Sequence, residues 1–333
     1  MNSSILNTLL KEYDTKRTNA ILIAERKKEE LYNKVPELQQ LEDELAKVSI
    51  FTAKSILQSN DSNYLSKLKD NINNLKLKKQ NLLNKLQIKE SDLLPNFECS
   101  ICNDTGFIFE NNSNTMCNCL KQKLFDISYN TSNIGNIKND TFENFNLDYY
   151  SDEVNEALYK TNISPRENMQ VIKDIALSFV KNFDNPAEKN LLFRGNTGLG
   201  KTFLSNCIAN EVLKMGKTVL YQTAPVMFDM ILDYRFGKKT SNENICDNIL
   251  NVDLLIIDDL GAEHMNSVKF SELFNIINSR LLNQNNCVTK TIISTNLTMK
   301  ELFANYDERI VSRLIGSYNI LPFFGEDIRF KKR

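Results

Sequence analysis

The 333-residue chain has no tryptophan, one histidine, ten glycines and six prolines, and its 41 basic and 42 acidic side chains all but cancel. A formal charge of −1 leaves no global field to recruit nucleic acid or an anionic membrane, so any such binding has to come from a local patch. Apolar runs such as residues 254–257 and 175–180 fall far short of the roughly 20 residues that cross a bilayer. The opening residues lack a basic stretch followed by an apolar one, and Lys11 and Glu12 soon interrupt them. These absences predict a cytoplasmic protein with no membrane role. Whole-chain disorder is excluded, because 41% of residues are hydrophobic against 25% charged. The lone histidine, His264, has no cysteine or aspartate pattern around it and reads as structural.

What is present changes character twice. Residues 1–94 hold no glycine and one proline, Pro36, among many Leu, Lys, Glu and Asn, which favours long helices. Residues 5–35 read as one helix, with a second beginning near Glu37. Leu65, Leu68, Ile72, Leu75, Leu82 and Leu86 follow an alternating three-four spacing that Lys79 alone breaks, a heptad-like seam. Such an arm is either a helical hairpin packed on itself or a partner-binding element. Residues 95–138 carry four of the seven cysteines and then a polar linker, and residues 139–333 alternate aliphatic runs with helical patterns. That alternation predicts an α/β domain with a mainly parallel sheet.

The chemistry sits in that last segment. Gly195-Asn196-Thr197-Gly198-Leu199-Gly200-Lys201-Thr202 matches G-x-x-x-x-G-K-[ST] between a strand-like run, residues 191–194, and a helical one. Glycines let consecutive N–H groups face one anion, Lys201 adds charge on the β and γ phosphates, and the Thr202 hydroxyl suits magnesium. Leu254-Leu255-Ile256-Ile257-Asp258-Asp259 supplies acids at the end of a second buried strand: Asp258 for magnesium through its water shell, Asp259 to polarise an attacking water. A third strand ends at Asn296, whose amide can reach a γ phosphate or orient water. Arg309 and Arg313 lie four apart on one helical face, either a surface ion-pair face or a guanidinium offered to a neighbouring subunit's phosphate.

In this order, the phosphate loop, paired acids, strand-end Asn and late arginine helix resemble an AAA+ ATPase. The segments 195–202, 253–263 (DLLIIDDLGAE) and 308–314 (ERIVSRL) look like the DnaC/DnaI family of bacterial replicative helicase loaders, and the cysteine segment looks like its clostridial-type members. The resemblance covers residues 95–333 by motif and the arm by general character. It implies an AAA+ P-loop domain that binds ATP and Mg2+, with Lys201 and Thr202 in Walker A, Asp258 in Walker B and Asn296 as sensor 1. It implies Arg313 as arginine finger, with Arg309 beside it, and Arg329 as a sensor 2 arginine. The pair Asp258-Asp259, where many AAA+ enzymes have Asp-Glu, leaves the base open between Asp259 and Glu263. An adenine pocket is implied near residues 141–145 and 164–168. The implied partners are a replicative DnaB-type helicase, single-stranded DNA and further copies of the chain. An IstB-like transposition ATPase and a nucleotide-locked adaptor stand as alternatives.

Cys99 and Cys102, fourteen intervening residues, then Cys117 and Cys119 give two close thiol pairs suited to tetrahedral Zn2+, with an iron–sulfur cluster as the other reading. Cys207, Cys246 and Cys287 are scattered and read as small core residues. Arg235-Phe236-Gly237-Lys238-Lys239, with Tyr234 before it, is either a DNA-contacting segment or the plain end of an amphipathic helix. The basic tail from Arg329 to Arg333 reads as solvated.

Overall fold

Without glycine to interrupt them, the Leu- and Lys-rich first residues run as three helices in the computed structural model: α1 (Ser3–Lys34), α2 (Pro36–Gln58) and α3 (Ser62–Lys85). The structure describes residues 3–58, 62–110, 112–128, 139–237, 245–263, 266–283 and 288–330. His264, Cys287, Lys238, Lys239, most of the linker and the last three residues lie outside them. Pro36 opens α2 at a position where its missing N–H costs nothing. The described residues divide into two compact units, 7–115 and 116–333, the latter joined by residues 1–6.

In the first unit, Leu31, Leu38, Leu83 and Leu93 form a buried cluster. The seam of α3 turns inward at Leu68, Ile72, Leu75, Leu82 and Leu86, whereas the side chain of Leu65 is outside the description. Lys79, the break in the seam, is the centre of a polar layer. Its ammonium donates to Glu42 at 2.8 Å and to Glu90 at 2.7 Å, and Tyr32 donates its hydroxyl to Glu42. One ionic layer in an apolar seam penalises slipped registers, where it would be unpaired. Past α3, a two-stranded sheet forms from β1 (Phe107–Glu110) and β2 (Ser113–Met116).

The second unit starts with α4 (Asn118–Ser128) and continues through α5 (Glu156–Tyr159) and α6 (Pro165–Lys181), which Ser164 and Glu167 open with a capping box. Then β3 (Asn190–Arg194), α7 (Lys201–Lys214), β4 (Val219–Thr223), α8 (Ala224–Arg235) and α9 (Ile245–Asn251) lead to β5 (Leu254–Leu260). The chain closes with α10 (Ser267–Asn283), β6 (Lys290–Thr295), α11 (Met299–Asn305), α12 (Glu308–Ser317) and β7 (Tyr318–Pro322). All five strands are parallel, in the order β4-β5-β6-β3-β7. Helices α6 and α7 cover one face through Met169, Ile172, Leu204 and Ile208; α8 to α12 cover the other through Phe228, Leu273, Ile277 and Leu314. Burial on both faces explains why the strands read as continuous apolar runs.

Two polar side chains finish this sheet. The Gln122 carboxamide takes the place of a sixth strand, accepting from Val219 N at 2.7 Å and donating to Val219 O at 3.0 Å, so that a helix covers edge strand β4. Arg280, 1% exposed, has no carboxylate partner among the described residues. Its guanidinium donates instead to the carbonyls of Ile249, Val252 and Lys290 at 2.7–2.9 Å and to the Thr291 hydroxyl at 2.9 Å, joining the end of α9 to the start of β6. Burial brings it down to about 10, still charged at neutral pH.

The polar layer of the arm gives a pH signature. Burial raises Glu42, but hydrogen bonds from Lys79 and Tyr32 bring it below its ordinary 4.5. A depressed carboxylate stabilises the fold above its unfolded value and loses that contribution as pH falls through the folded one. The arm's helical signal in circular dichroism melts is therefore expected to lose stability as pH falls below the ordinary glutamate value of 4.5. Lys79→Met, which removes the cation that depresses Glu42, is expected to flatten that dependence; an unchanged profile would refute the assignment.

Candidate functional site

The phosphate loop follows the central strand β3 and runs into α7. Gly198 and Gly200 take φ of +77° and +90°, conformations that side chains with a Cβ rarely adopt. A Cβ would also meet side chains: on Gly198 it would lie 2.1 Å from the Asp327 carboxylate, which would have to swing aside, and on Gly200 2.6 Å from the Tyr150 hydroxyl. Lys201 is 6% exposed, and its ammonium donates to the Gly195 and Asn196 carbonyls at 2.7 and 2.8 Å and to Asn296 Oδ1 at 2.7 Å. The phosphate-loop lysine and the strand-end amide thus meet directly. Burial lowers the Lys201 ammonium, opposed by the charges of Asp259 and Asp258 and assisted by that of Arg329.

The acids are placed by an irregularity in the sheet. β5 pairs with β6 in register to Ile257 opposite Ile293, and then Leu260 stands opposite Thr295, so β5 has one residue more than its partner. This bulge re-aims Asp258 and Asp259, the latter at φ +55°. Asp258, 4% exposed, accepts at Oδ2 from Thr202 Oγ1 at 3.1 Å and from the Tyr221 hydroxyl. At Oδ1 it accepts from the Ser294 hydroxyl and from Asp259 N at 3.2 Å. A carboxylate beside a threonine hydroxyl is the hard oxygen set that magnesium takes.

The two candidates for the base differ in their surroundings. Glu263 has both oxygens engaged, by the Tyr306 hydroxyl at 2.6 Å and by Gly261 N at 2.8 Å. No described residue donates a hydrogen bond to the Asp259 carboxylate, which burial and then Asp258 raise above the usual aspartate value, against Lys201 and Arg329. The field of Arg329 thus reaches both Lys201 and Asp259, in keeping with a place at the phosphate end of the site.

Arg309 and Arg313 lie elsewhere, over the ring of Phe274 on α10 at 5.1 and 4.7 Å. Arg313 also donates to Asn278 Oδ1 at 2.9 Å, and Arg309 is paired with both oxygens of Asp307 at 2.9 Å. Beside Gly200 a cavity is lined by Phe145, Tyr149, Tyr150, Phe203 and Ile328. Residues 164–168 do not line it: Ser164 caps α6, and Arg166 Nε donates to the carbonyls of Leu147 and Tyr150 at 3.2 and 3.1 Å. Arg235 is paired with Glu272 at 3.0 Å, while Phe236 is 65% exposed.

The thiols of Cys99, Cys102, Cys117 and Cys119 all lie within 4.8 Å of one another. Zinc–sulfur bonds of about 2.3 Å in a tetrahedron put sulfurs about 3.8 Å apart, so the donor set suits the ion with little contraction. Asp104 shapes the first pair, accepting from Glu98 N at 2.9 Å and Cys99 N at 2.8 Å. Cys207 is fully buried, its thiol pushed up to about 12 by burial, and Cys246 is half-buried.

A family model described as IstB-like ATP binding protein matches residues 153–333, more than half of the chain and the whole of this site. The chain belongs to that family. It is 31% identical over 152 residues to the replicative helicase loader DnaC of Escherichia coli (strain K12), covering 46% of this chain and 60% of that protein. It is 28% identical over 153 residues to an insertion sequence ATP-binding protein of Sinorhizobium fredii (strain NBRC 101917 / NGR234), covering 44% of this chain and 59% of that one. The IstB-like chain thus spans about 60% of the length of the curated relatives it matches. Among solved structures, a DnaC helicase loader aligns at 22% identity with a TM-score of 0.41, over 56% of this chain and 98% of that one.

Tyr221 and Ser294 of this IstB-like site have no signal in the sequence: a tyrosine and a serine inside apolar strands look like packing. The Gly198 contact is testable. Gly198→Ala is expected to lower the stability of the chain by about 1–3 kcal/mol, chiefly from the strained φ with a smaller part from displacing Asp327. Asp327→Ala in the same chain is expected to restore part of the loss, leaving the φ strain; equal stability of the single and double variants would contradict the contact.

Proposed function

We propose that this protein is an ATP-dependent loader of the replicative DNA helicase onto single-stranded DNA, acting in the cytoplasm during initiation or restart of replication. The convergence of Lys201, Thr202, Asp258 and Asn296 at the ends of three adjacent parallel strands carries the ATP half of this reading. The relatives named as replicative helicase loaders support the other half.

In this reading the loop N–H groups and Lys201 bind the β and γ phosphates, and Thr202 and Asp258 hold magnesium, which neutralises phosphate charge. Asn296, released from Lys201, turns its amide to the γ phosphate. Asp259 Oδ takes the proton of the attacking water, a role its raised affinity for protons favours. Glu263 is left to brace the loop against Tyr306. Arg313 acts from a neighbouring copy, which makes hydrolysis slow in the monomer and dependent on self-association. The base occupies the cavity beside Gly200, between Phe145, Tyr150 and Ile328. The helical arm grips a DnaB-type helicase, and Tyr234 and Phe236 contact single-stranded DNA. Cys99, Cys102, Cys117 and Cys119 hold one structural Zn2+. Metal analysis of the purified chain is expected to give one zinc atom per chain, and metal-free protein with four titratable thiols at these positions would contradict that.

The insertion-sequence relative and the family description favour one other reading, a transposition ATPase that serves a transposase. Native mass spectrometry of the full chain with a DnaB-type helicase and ATP separates the two. The loader reading predicts a helicase complex and ATP turnover stimulated by single-stranded DNA, the turnover being lost in Lys201→Ala. Absence of a helicase complex, with a transposase complex instead, would transfer the assignment.

A further inference from the structure

We propose that Tyr221 is a positioning residue for the magnesium-holding carboxylate and sets how strongly a divalent cation enhances ATP binding, an inference that rests on the ATP-site reading above. Tyr221 stands on β4, the neighbour of β5, and is 1% exposed within the apolar cluster shared by α6, α7 and the sheet. Its hydroxyl reaches Asp258 Oδ2, the oxygen to which Thr202 also donates. Ser294 and the Asp259 N–H occupy Oδ1.

An ionised carboxylate has about four acceptor sites, and here four donors fill them before any cation arrives. A cation entering between Thr202 and Asp258 therefore displaces one donor. Thr202 is the one that can leave, because its hydroxyl rotates at the first turn of α7 and becomes a ligand itself. Tyr221 is fixed by a rigid ring packed in the core, so its bond persists and keeps the second lone pair of Oδ2 aimed at the incoming ion's shell. A phenol keeps its proton through the neutral range, so Tyr221 is a donor there. Groups that orient a metal-holding side chain in this way typically contribute 10–100-fold to metal affinity or activity.

The test is calorimetric titration of ATP into the full chain across a magnesium series and in EDTA, comparing wild type with Tyr221→Phe, which keeps the ring and deletes only the donor. The expected result is a magnesium midpoint raised about 10–100-fold, with ATP affinity in EDTA within about twofold of wild type, as a deleted metal-orienting donor requires. Ser294→Ala, which frees the other oxygen, is expected to move the midpoint in the same direction and serves if Tyr221→Phe does not fold. An unchanged midpoint in the folded variants overturns the proposal while leaving the ATP site intact. Loss of ATP affinity in EDTA to the same degree as in magnesium makes Tyr221 merely structural and also overturns it. A wild-type chain that binds no ATP in either condition defeats the ATP-site reading itself.

Discussion

A single buried carboxylate, Asp258, organises the second unit of this chain. Leaving a charge uncompensated in a protein interior costs several kcal/mol, so the sheet is built to supply partners from four directions: Thr202 from α7, Tyr221 from β4, Ser294 from β6 and the N–H of Asp259 from its own strand. The bulge between Ile257 and Leu260 is what allows adjacent acids to take different environments. Asp258 is enclosed by donors, whereas Asp259, at positive φ, faces the Lys201 and Arg329 fields. Two neighbouring aspartates thereby acquire two environments, which in the function proposed above suit one to hold a cation and the other to receive a proton.

Much of this was legible because parallel strands buried on both faces must be apolar throughout, and the glycine-rich loop needs backbone freedom that few sequences provide. The runs at 191–194 and 254–259 and the one ending at Asn296 announce the ends of β3, β5 and β6 to within one residue, and the chemistry sits at those ends. The bulge was not legible, since Leu254–Leu260 reads as one uninterrupted strand whose pairing register no local pattern records. Arg280 and Gln122 were hidden for a related reason. A charged residue on a helix reads as solvated, yet here the carbonyls at the end of α9 replace its water. A glutamine near a cysteine pair reads as linker, yet it completes a sheet edge almost a hundred positions away.

Lys79 shows the opposite case, a local irregularity that was visible and had a structural meaning. The break in the α3 seam is where Glu42, Glu90 and Tyr32 gather, so a polar layer interrupts the arm at that level while leucines supply its apolar burial. The cysteine cluster is a second such case: its paired spacing was visible in the sequence, and the four thiols lie within 4.8 Å of one another, a donor set that suits a tetrahedral ion. The family match extends over residues 153–333 and leaves both of these modules outside it.

The account stands on ATP and magnesium entering between the phosphate loop and Asp258. Hydrogen–deuterium exchange of the full chain with and without Mg–ATP reads this most directly. It predicts slowed exchange in residues 195–202, 254–260 and 290–296, together with residues 323–330 that contact the loop, and no such protection in Lys201→Ala. Protection absent from the phosphate loop and β5 at saturating nucleotide, or equal in Lys201→Ala, would contradict it.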